Sequence, residues 1–232
     1  MSSYLPVVAV TCLALEARIA QGLGVSVVCQ PSLELLATLR MAVAHGASGV
    51  ISFGIAGGLA PHLAAGDCIV ASKVRHGKDV FATDSAWTRK ILEAIPNAIH
   101  ADVVGADTLM MDPSEKTRIH GQTGAMAVDM ESHIAAKIAY EHRIPFAACR
   151  IIIDAAHRTL PPAAAVGLHK DGTPDIAAVF LSVLQKPRQL PDLIRTALDA
   201  RVAWRALRLG RARLGAGLAF PYNDLSADLA VA

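Results

Sequence analysis

At 232 residues, with 53% apolar and 18% charged, the chain is long and apolar enough for a full core, which excludes a disordered protein. A net charge of +2 is too small to mark a nucleic-acid binder. Aromatics are only 4%, and Ala, Leu and Val supply most of the apolar mass, which favours close helix–sheet packing over an aromatic-rich β-sandwich.

The first fifteen residues lack a basic stretch before their apolar run, so no signal peptide is expected. No apolar run reaches the length of a membrane span without a charge or a Gly/Pro interruption. Val7–Leu13 reads as a buried strand. Residues 33–45 read as a helix with Ser32 as its cap. Gly49–Phe53 is a second buried strand, followed by a glycine loop over 54–58. Cys68–Val74 is a third. Asp84 caps a helix over 84–94, and Ile99–Val104 is again a strand. Asp112-Pro113-Ser114-Glu115 announces a helix: a capping Asp, a Pro in the first turn, and a Glu three residues after the cap. A short strand over 125–128, a helix over 132–142 and a strongly apolar strand over 146–153 follow. Residues 175–185 and 192–209 look like C-terminal helices. The four cysteines, Cys12, Cys29, Cys68 and Cys149, form no CxxC pair and read as reduced, buried thiols of a cytoplasmic protein.

Strands separated by helices predict one α/β domain over residues 1–232. It has a central, twisted, mostly parallel mixed sheet with helices on both faces. Residues 190–232 form its basic, helical C-terminal segment. In such sheets ligands bind beyond the carboxyl ends of the strands. The features found there are Glu16, the glycines at 54–58, the pair Asp129 and Glu131, and Asp154. Each alone has an ordinary reading. Glycines after a strand make turns, Asp154 can cap a turn, and Glu131 can be a helix N-terminal acid. Glu16 can be a surface residue. The glycine spacing fits neither a dinucleotide fingerprint nor a P-loop. The histidines make no HExxH and no Cys/His set with zinc spacing, so no metal is expected. There is no GxSxG.

Taken in order, these features resemble a known superfamily. Phe53-Gly54-Ile55-Ala56-Gly57-Gly58-Leu59-Ala60-Pro61, followed by Ala65-Gly66-Asp67 and Ile69-Val70, resembles the nucleoside phosphorylases and the methylthioadenosine/S-adenosylhomocysteine nucleosidases. Val128-Asp129-Met130-Glu131-Ser132 resembles their ribose-binding motif. Arg150-Ile151-Ile152-Ile153-Asp154 resembles the segment that ends in their catalytic acid. Gly105-Ala106-Asp107-Thr108 resembles the strand end leading to their base pocket. The resemblance implies a nucleoside phosphorylase-like fold and cleavage of the bond between a purine, adenine, and its ribose. It makes Asp154 and Glu16 catalytic, with Glu131, Met130, Gly57, Ile55, Leu109, Met110, Ile153 and Arg150 at the substrate.

The chemistry explains these residue types. Adenine leaves poorly as an anion, so an acid beside N7 helps, and burial of Asp154 would keep its proton available. The ribose becomes oxocarbenium-like as the bond stretches. A carboxylate holding its 2′ and 3′ hydroxyls, the role implied for Glu131, stabilises that charge most in the transition state. Met130 would pack on the sugar, and Leu109 and Met110 would form an apolar slot for the base. Glu16 would activate water, although the family's preceding glycine is Cys12 here. Arg150 reads equally as a substrate contact or as an ion-pair partner of Asp129 or Glu131.

Ile55 and Ile153 replace serines of the typical nucleosidase. The tail, Ala155-Ala156-His157-Arg158-Thr159-Leu160-Pro161-Pro162, Gly172-Thr173-Pro174-Asp175, Lys186-Pro187 and then an Arg-rich helix, resembles the hopanoid-associated phosphorylases, which are similar to enzymes that remove adenine from adenosylhopane. In the tail, Leu193, Ile194, Ala197, Leu198, Val202 and Leu207 suggest an apolar stripe beside Arg195, Arg201, Arg205 and Arg208. Two readings stay open for it: a helix packed on the sheet, or peripheral contact with the inner membrane face. Phosphorolysis and hydrolysis also both remain, with inorganic phosphate the sole co-substrate considered and no cofactor. The alternatives are a nucleosidase or phosphorylase for soluble nucleosides, and a non-catalytic nucleoside- or lipid-binding protein on the same scaffold. A homo-oligomer is the default implied by the family.

Overall fold

A computed structural model of the protein describes residues 5–30, 32–159 and 190–222. The helix expected over 175–185 lies outside the described residues. Eight strands form one mixed sheet: β1 (Val7–Thr11), β2 (Val25–Cys29), β3 (Gly49–Gly58), β4 (Cys68–His76), β5 (Asp79–Ala82), β6 (Ile99–Gly105), β7 (Ala127–Asp129) and β8 (Phe146–Asp154). Among the described residues six α-helices accompany them: α1 (Ala14–Ala20), α2 (Ser32–Ala44), α3 (Ser85–Ala94), α4 (Pro113–Thr123), α5 (Ser132–His142) and α6 (Leu190–Leu214). The α/β class and the mixed, mostly parallel sheet are as the alternating pattern predicts.

The glycine segment departs from expectation. It is not a loop after a strand but the second half of β3, a strand of 10 residues. Its first half lies between β1 and β8, with Val50 opposite both Val8 and Phe146. Its end outruns β1 and pairs instead with β7, Gly57 opposite Val128 and Gly58 opposite Ala127. Meanwhile β8 pairs with β3 on one edge and with β4 on the other. Since β4 also pairs with β6, and β6 with β7, strands β3, β8, β4, β6 and β7 close into a ring. The open sheet that alternation alone suggests is therefore partly rolled up. Closure needs one strand long enough to change partners along its length, and β3 is that strand.

Helices cover both faces. Leu35, Leu39, Ile138 and Ala139, from α2 and α5, pack with Val8, Val50 and Ile152. On the other face Trp87, Ile91, Leu207 and Phe220 pack with Ala9, Ile51 and Ala147. Trp87 Nε1 donates to the carbonyl of Leu218 at 2.8 Å, tying α3 to the turn after α6. Capping follows the sequence at two helices: Asp84 accepts from Trp87 N, and Asp112 from Ser114 N, both at 2.8 Å, whereas Ser32, expected as a cap, is the first residue of α2. All four cysteines are free, but Cys12 and Cys29 are half-buried rather than buried.

Of the six residues expected to form a stripe on α6, Leu207 alone is buried. Ala203, Leu207, Gly210 and Leu214, spaced by three and four, face inward. Ile194, Leu198 and Val202 point outward and are about half exposed, as is Leu209. No described helix is long and apolar enough to cross a membrane.

Candidate active site

The carboxyl ends of β1, β3, β7 and β8 bring four acids and two cations together. Glu16 lies in the first turn of α1. It is not a surface residue: its relative exposure is 1%. One carboxylate oxygen accepts from the backbone N–H groups of Cys12 and Leu13, each at 2.9 Å. The other accepts from Ile55 N at 2.7 Å. Burial pushes its pKa up, while the Arg150 charge and these three N–H donors pull it down.

Gly54 makes room for that carboxylate. A Cβ at this position would fall 2.2 Å from Glu16 Oε1 and 2.9 Å from an Arg150 nitrogen. Three backbone donors hold the carboxylate, so it cannot simply swing aside. Gly54→Ala should therefore cost about 1–3 kcal/mol of stability through overpacking. Thermal denaturation checks this, and an unchanged melting temperature would mean that Glu16 yields freely.

Asp129 and Glu131 divide the work at the start of α5. Asp129 Oδ1 accepts from the backbone N–H of Ser132 at 3.0 Å, so Asp129 supplies the cap. Glu131 occupies the capping position without a side-chain cap bond. Its carboxylate instead reaches Arg150 Nη2 at 3.3 Å. Glu131 thus stands at the helix N-terminus while Asp129 makes the cap bond. Arg150 Nε also meets Asp129 at 2.6 Å, and the guanidinium is fully buried. Of the two readings of Arg150, the structure shows the ion-pair partner. Burial raises the Glu131 pKa to about 7, with the Asp129 and Glu16 charges adding and Arg150 opposing.

Asp154 ends β8, paired in register with Gly57 of β3. Its carboxyl does not cap the turn at Ala155. It forms an ion pair with the Lys116 ammonium, which is fully buried. Burial raises the Asp154 pKa, and Lys116 works against that rise. A Cβ on Gly57 would sit 3.4 Å from Asp154 Oδ1, so this glycine leaves the carboxyl's approach open. Lys116 was not among the expected site residues. The available signal was periodicity: Lys116 shares the inward stripe of α4 with Ile119 and Thr123, on a helix otherwise polar.

The remaining expected residues divide. Ile55, Gly57, Met130 and Ile153 are half-buried along the same strand ends. Met110 is buried with Leu59, Ala125 and Val128, so it lines an apolar wall behind Gly57 and β7. Leu109 is half exposed and does not close a slot with it in this conformation of the chain. A separate groove of about 360 Å³, between β5 and α5, opens at the start of β8. That is the opposite end of the strand from Asp154, and the groove's acid, Asp84, is occupied in capping α3.

Residues 19–185 match the family described as the phosphorylase superfamily. The 5′-methylthioadenosine/S-adenosylhomocysteine nucleosidase of Listeria welshimeri is 29% identical, over 47% of this chain and 58% of that protein. The chain thus spans a little over half the length of this relative. Among solved structures, the native futalosine hydrolase of Helicobacter pylori superposes with a TM-score of 0.60 at 15% identity, covering 89% of this chain and 97% of that one. The nucleosidase of Colwellia psychrerythraea, solved in complex with adenine, gives a TM-score of 0.61 at 15% identity and covers 90% and 96%. At these identities the two superpositions show a shared fold.

Proposed function

The chain belongs to the phosphorylase superfamily, and from that membership we propose that it hydrolyses the N-glycosidic bond of an adenine nucleoside. Asp154 is the acid that protonates N7 of the base. Glu131 holds the ribose hydroxyls, and Glu16 activates the attacking water. Water's oxygen bonds to C1′ as the C1′–N9 bond breaks. The bonding pair leaves with the base, whose N7 has taken the proton of Asp154. Glu16 takes the proton lost by water. The observation that carries this reading is the clustering of three buried carboxyls, Glu16, Glu131 and Asp154, around one strand end of β3.

Hydrolysis is favoured over phosphorolysis by how the cations are used. A phosphate site needs cations and N–H donors with spare capacity. Arg150 is already paired with Asp129 and Glu131, and Arg75 with Asp102 at 2.7 Å. The Ile55 N–H is taken by Glu16. Adenine release from 5′-methylthioadenosine should therefore proceed at the same rate with and without inorganic phosphate. Strict dependence on phosphate would exclude the hydrolase and leave a phosphorylase.

One observation favours a narrower substrate, a nucleoside joined to a hydrocarbon such as adenosylhopane. The outward face of α6 carries Ile194, Leu198 and Val202 beside Arg195, Arg201 and Arg205, a pattern suited to an anionic bilayer surface. Flotation with anionic but not neutral liposomes supports this reading, and equal recovery with both removes it. A soluble substrate of the methylthioadenosine type requires no such face.

A further inference from the structure

Outside the carboxylate cluster, three potential ligands converge from separate elements. His76 ends β4, Asp107 follows β6, and His133 lies in the first turn of α5. One ligand atom from each lies within 4.8 Å of the others. We propose that His76, Asp107 and His133 form a binding site for a divalent transition metal of the zinc class.

The tautomers support this. His76 Nδ1 lies 3.0 Å from the carbonyl oxygen of Gly105. A carbonyl only accepts, so Nδ1 carries the hydrogen and the neutral ring leaves Nε2 as a bare lone pair. That lone pair is 3.9 Å from Asp107 Oδ1. His133 Nε2 is 3.5 Å from the same oxygen. A lone pair opposite a carboxylate is repulsive unless a cation or proton lies between them. The carbonyl behind His76 is also the partner that orients a metal-bound imidazole.

His133 is held in place by its surroundings. Its side chain is only 10% exposed. Its ring stacks on His76 with centroids 4.2 Å apart and planes 11° from parallel. A Cβ on Gly105 would come within 2.5 Å of that ring, so the glycine provides its seat.

The donor set suits the borderline metals. Two imidazoles and one carboxylate select Zn²⁺, Co²⁺, Ni²⁺ or Fe²⁺ over Mg²⁺ or Ca²⁺. Ligands about 2.0–2.1 Å from a tetrahedral ion are about 3.3–3.4 Å apart, so the group, which spans up to 4.8 Å, has to draw together, and one of the two stacked rings has to turn for both lone pairs to meet the ion. Asp107 and His76, with side chains 77% and 35% exposed, can supply that movement. The same exposure gives a metal ion its entry path. A bound ion would join the ends of β4 and β6 to α5. That would fix the segment whose Ala106 N–H donates to the Asp129 carbonyl at 2.7 Å.

The test is Co²⁺ titration of chelator-stripped wild-type protein, followed by absorption and calorimetry. One equivalent should bind and raise the melting temperature. His76→Gln and Asp107→Asn, both at accessible side chains, should each weaken binding by at least about tenfold. Folding of each variant is checked by its melting temperature without metal. Absence of stoichiometric binding by the wild type overturns the site. Binding undiminished in both variants overturns it as well, placing the ion elsewhere. Neither readout depends on nucleoside cleavage, so this inference stands or falls apart from the proposed function.

Discussion

Asp154→Asn is expected to lower the rate of adenine release by about 10²–10⁴-fold, the usual contribution of a positioned general acid. The substitution is nearly isosteric. The carboxamide oxygen can still accept from Lys116 Nζ, so the contact between β8 and α4 survives in weakened form. What disappears is the acidic hydrogen. KM should change little, because N7 protonation belongs to the transition state rather than to the bound nucleoside. The pH profile gives a second readout. Burial holds the Asp154 pKa above the ordinary aspartate value, so the acid form persists into less acidic solution. Wild-type kcat should fall as pH rises through that raised pKa, and the Asn variant should lose that limb. Retention of full activity by Asp154→Asn would remove the acid role and favour a binding protein on the same scaffold.

Much of this site was legible because its residues come from strand ends that the apolar pattern marks. The helix expected over 132–142 is α5 as observed, and β8 runs one residue beyond its expected end, to Asp154 itself. Other elements carried no comparable signal. β5 (Asp79–Ala82) is a short strand whose residues are mostly exposed, and exposed edge strands do not show as apolar runs. β2 is buried at one position only. Residues 54–58 were read as a loop because glycine usually marks turns and weakens strands. Here Gly54 serves close approach to Glu16 inside a strand, whereas a Cβ on Gly57 would meet Asp154 at ordinary contact distance.

Ring closure of the sheet and the chemistry of Lys116 share one reason for being missed: neither is local. β4 meets β8 across about eighty residues of chain, and no periodicity reports a partner at that distance. Arg150 shows the reverse case. Its sequence context allowed two roles, and only the three-dimensional placement of Asp129 and Glu131 shows the ion pairs. The histidine cluster makes the same point. His76, Asp107 and His133 are too far apart in sequence for any short metal-binding motif, and the expectation of no metal rested on such motifs alone.

Lys116→Met should destabilise the protein by about 3–5 kcal/mol near neutral pH, because it strips a buried carboxylate of its cation. The loss should depend on pH, and its sign follows from linkage. Without Lys116 the folded-state pKa of Asp154 rises further above its unfolded value of about 3.9. Between those two pKa values the folded state binds more protons than the unfolded state. Stability therefore falls as pH rises through that window, by up to about 1.4 kcal/mol per unit, and levels off above it. Denaturant unfolding across mildly acidic to neutral pH measures this. The variant's deficit should be smallest at the acid end, where Asp154 is neutral in both states. Lys116→Met combined with Asp154→Asn removes both charges, so it should recover stability relative to Lys116→Met alone at neutral pH while remaining inactive. In the single variant the alkaline limb of kcat/KM should move to higher pH, since an unpaired buried carboxyl holds its proton longer. Its plateau should be lower, because the same carboxyl is then a weaker acid toward N7. A deficit independent of pH, with no recovery in the double variant, would mean that Lys116 serves α4 packing and does not set the proton affinity of Asp154.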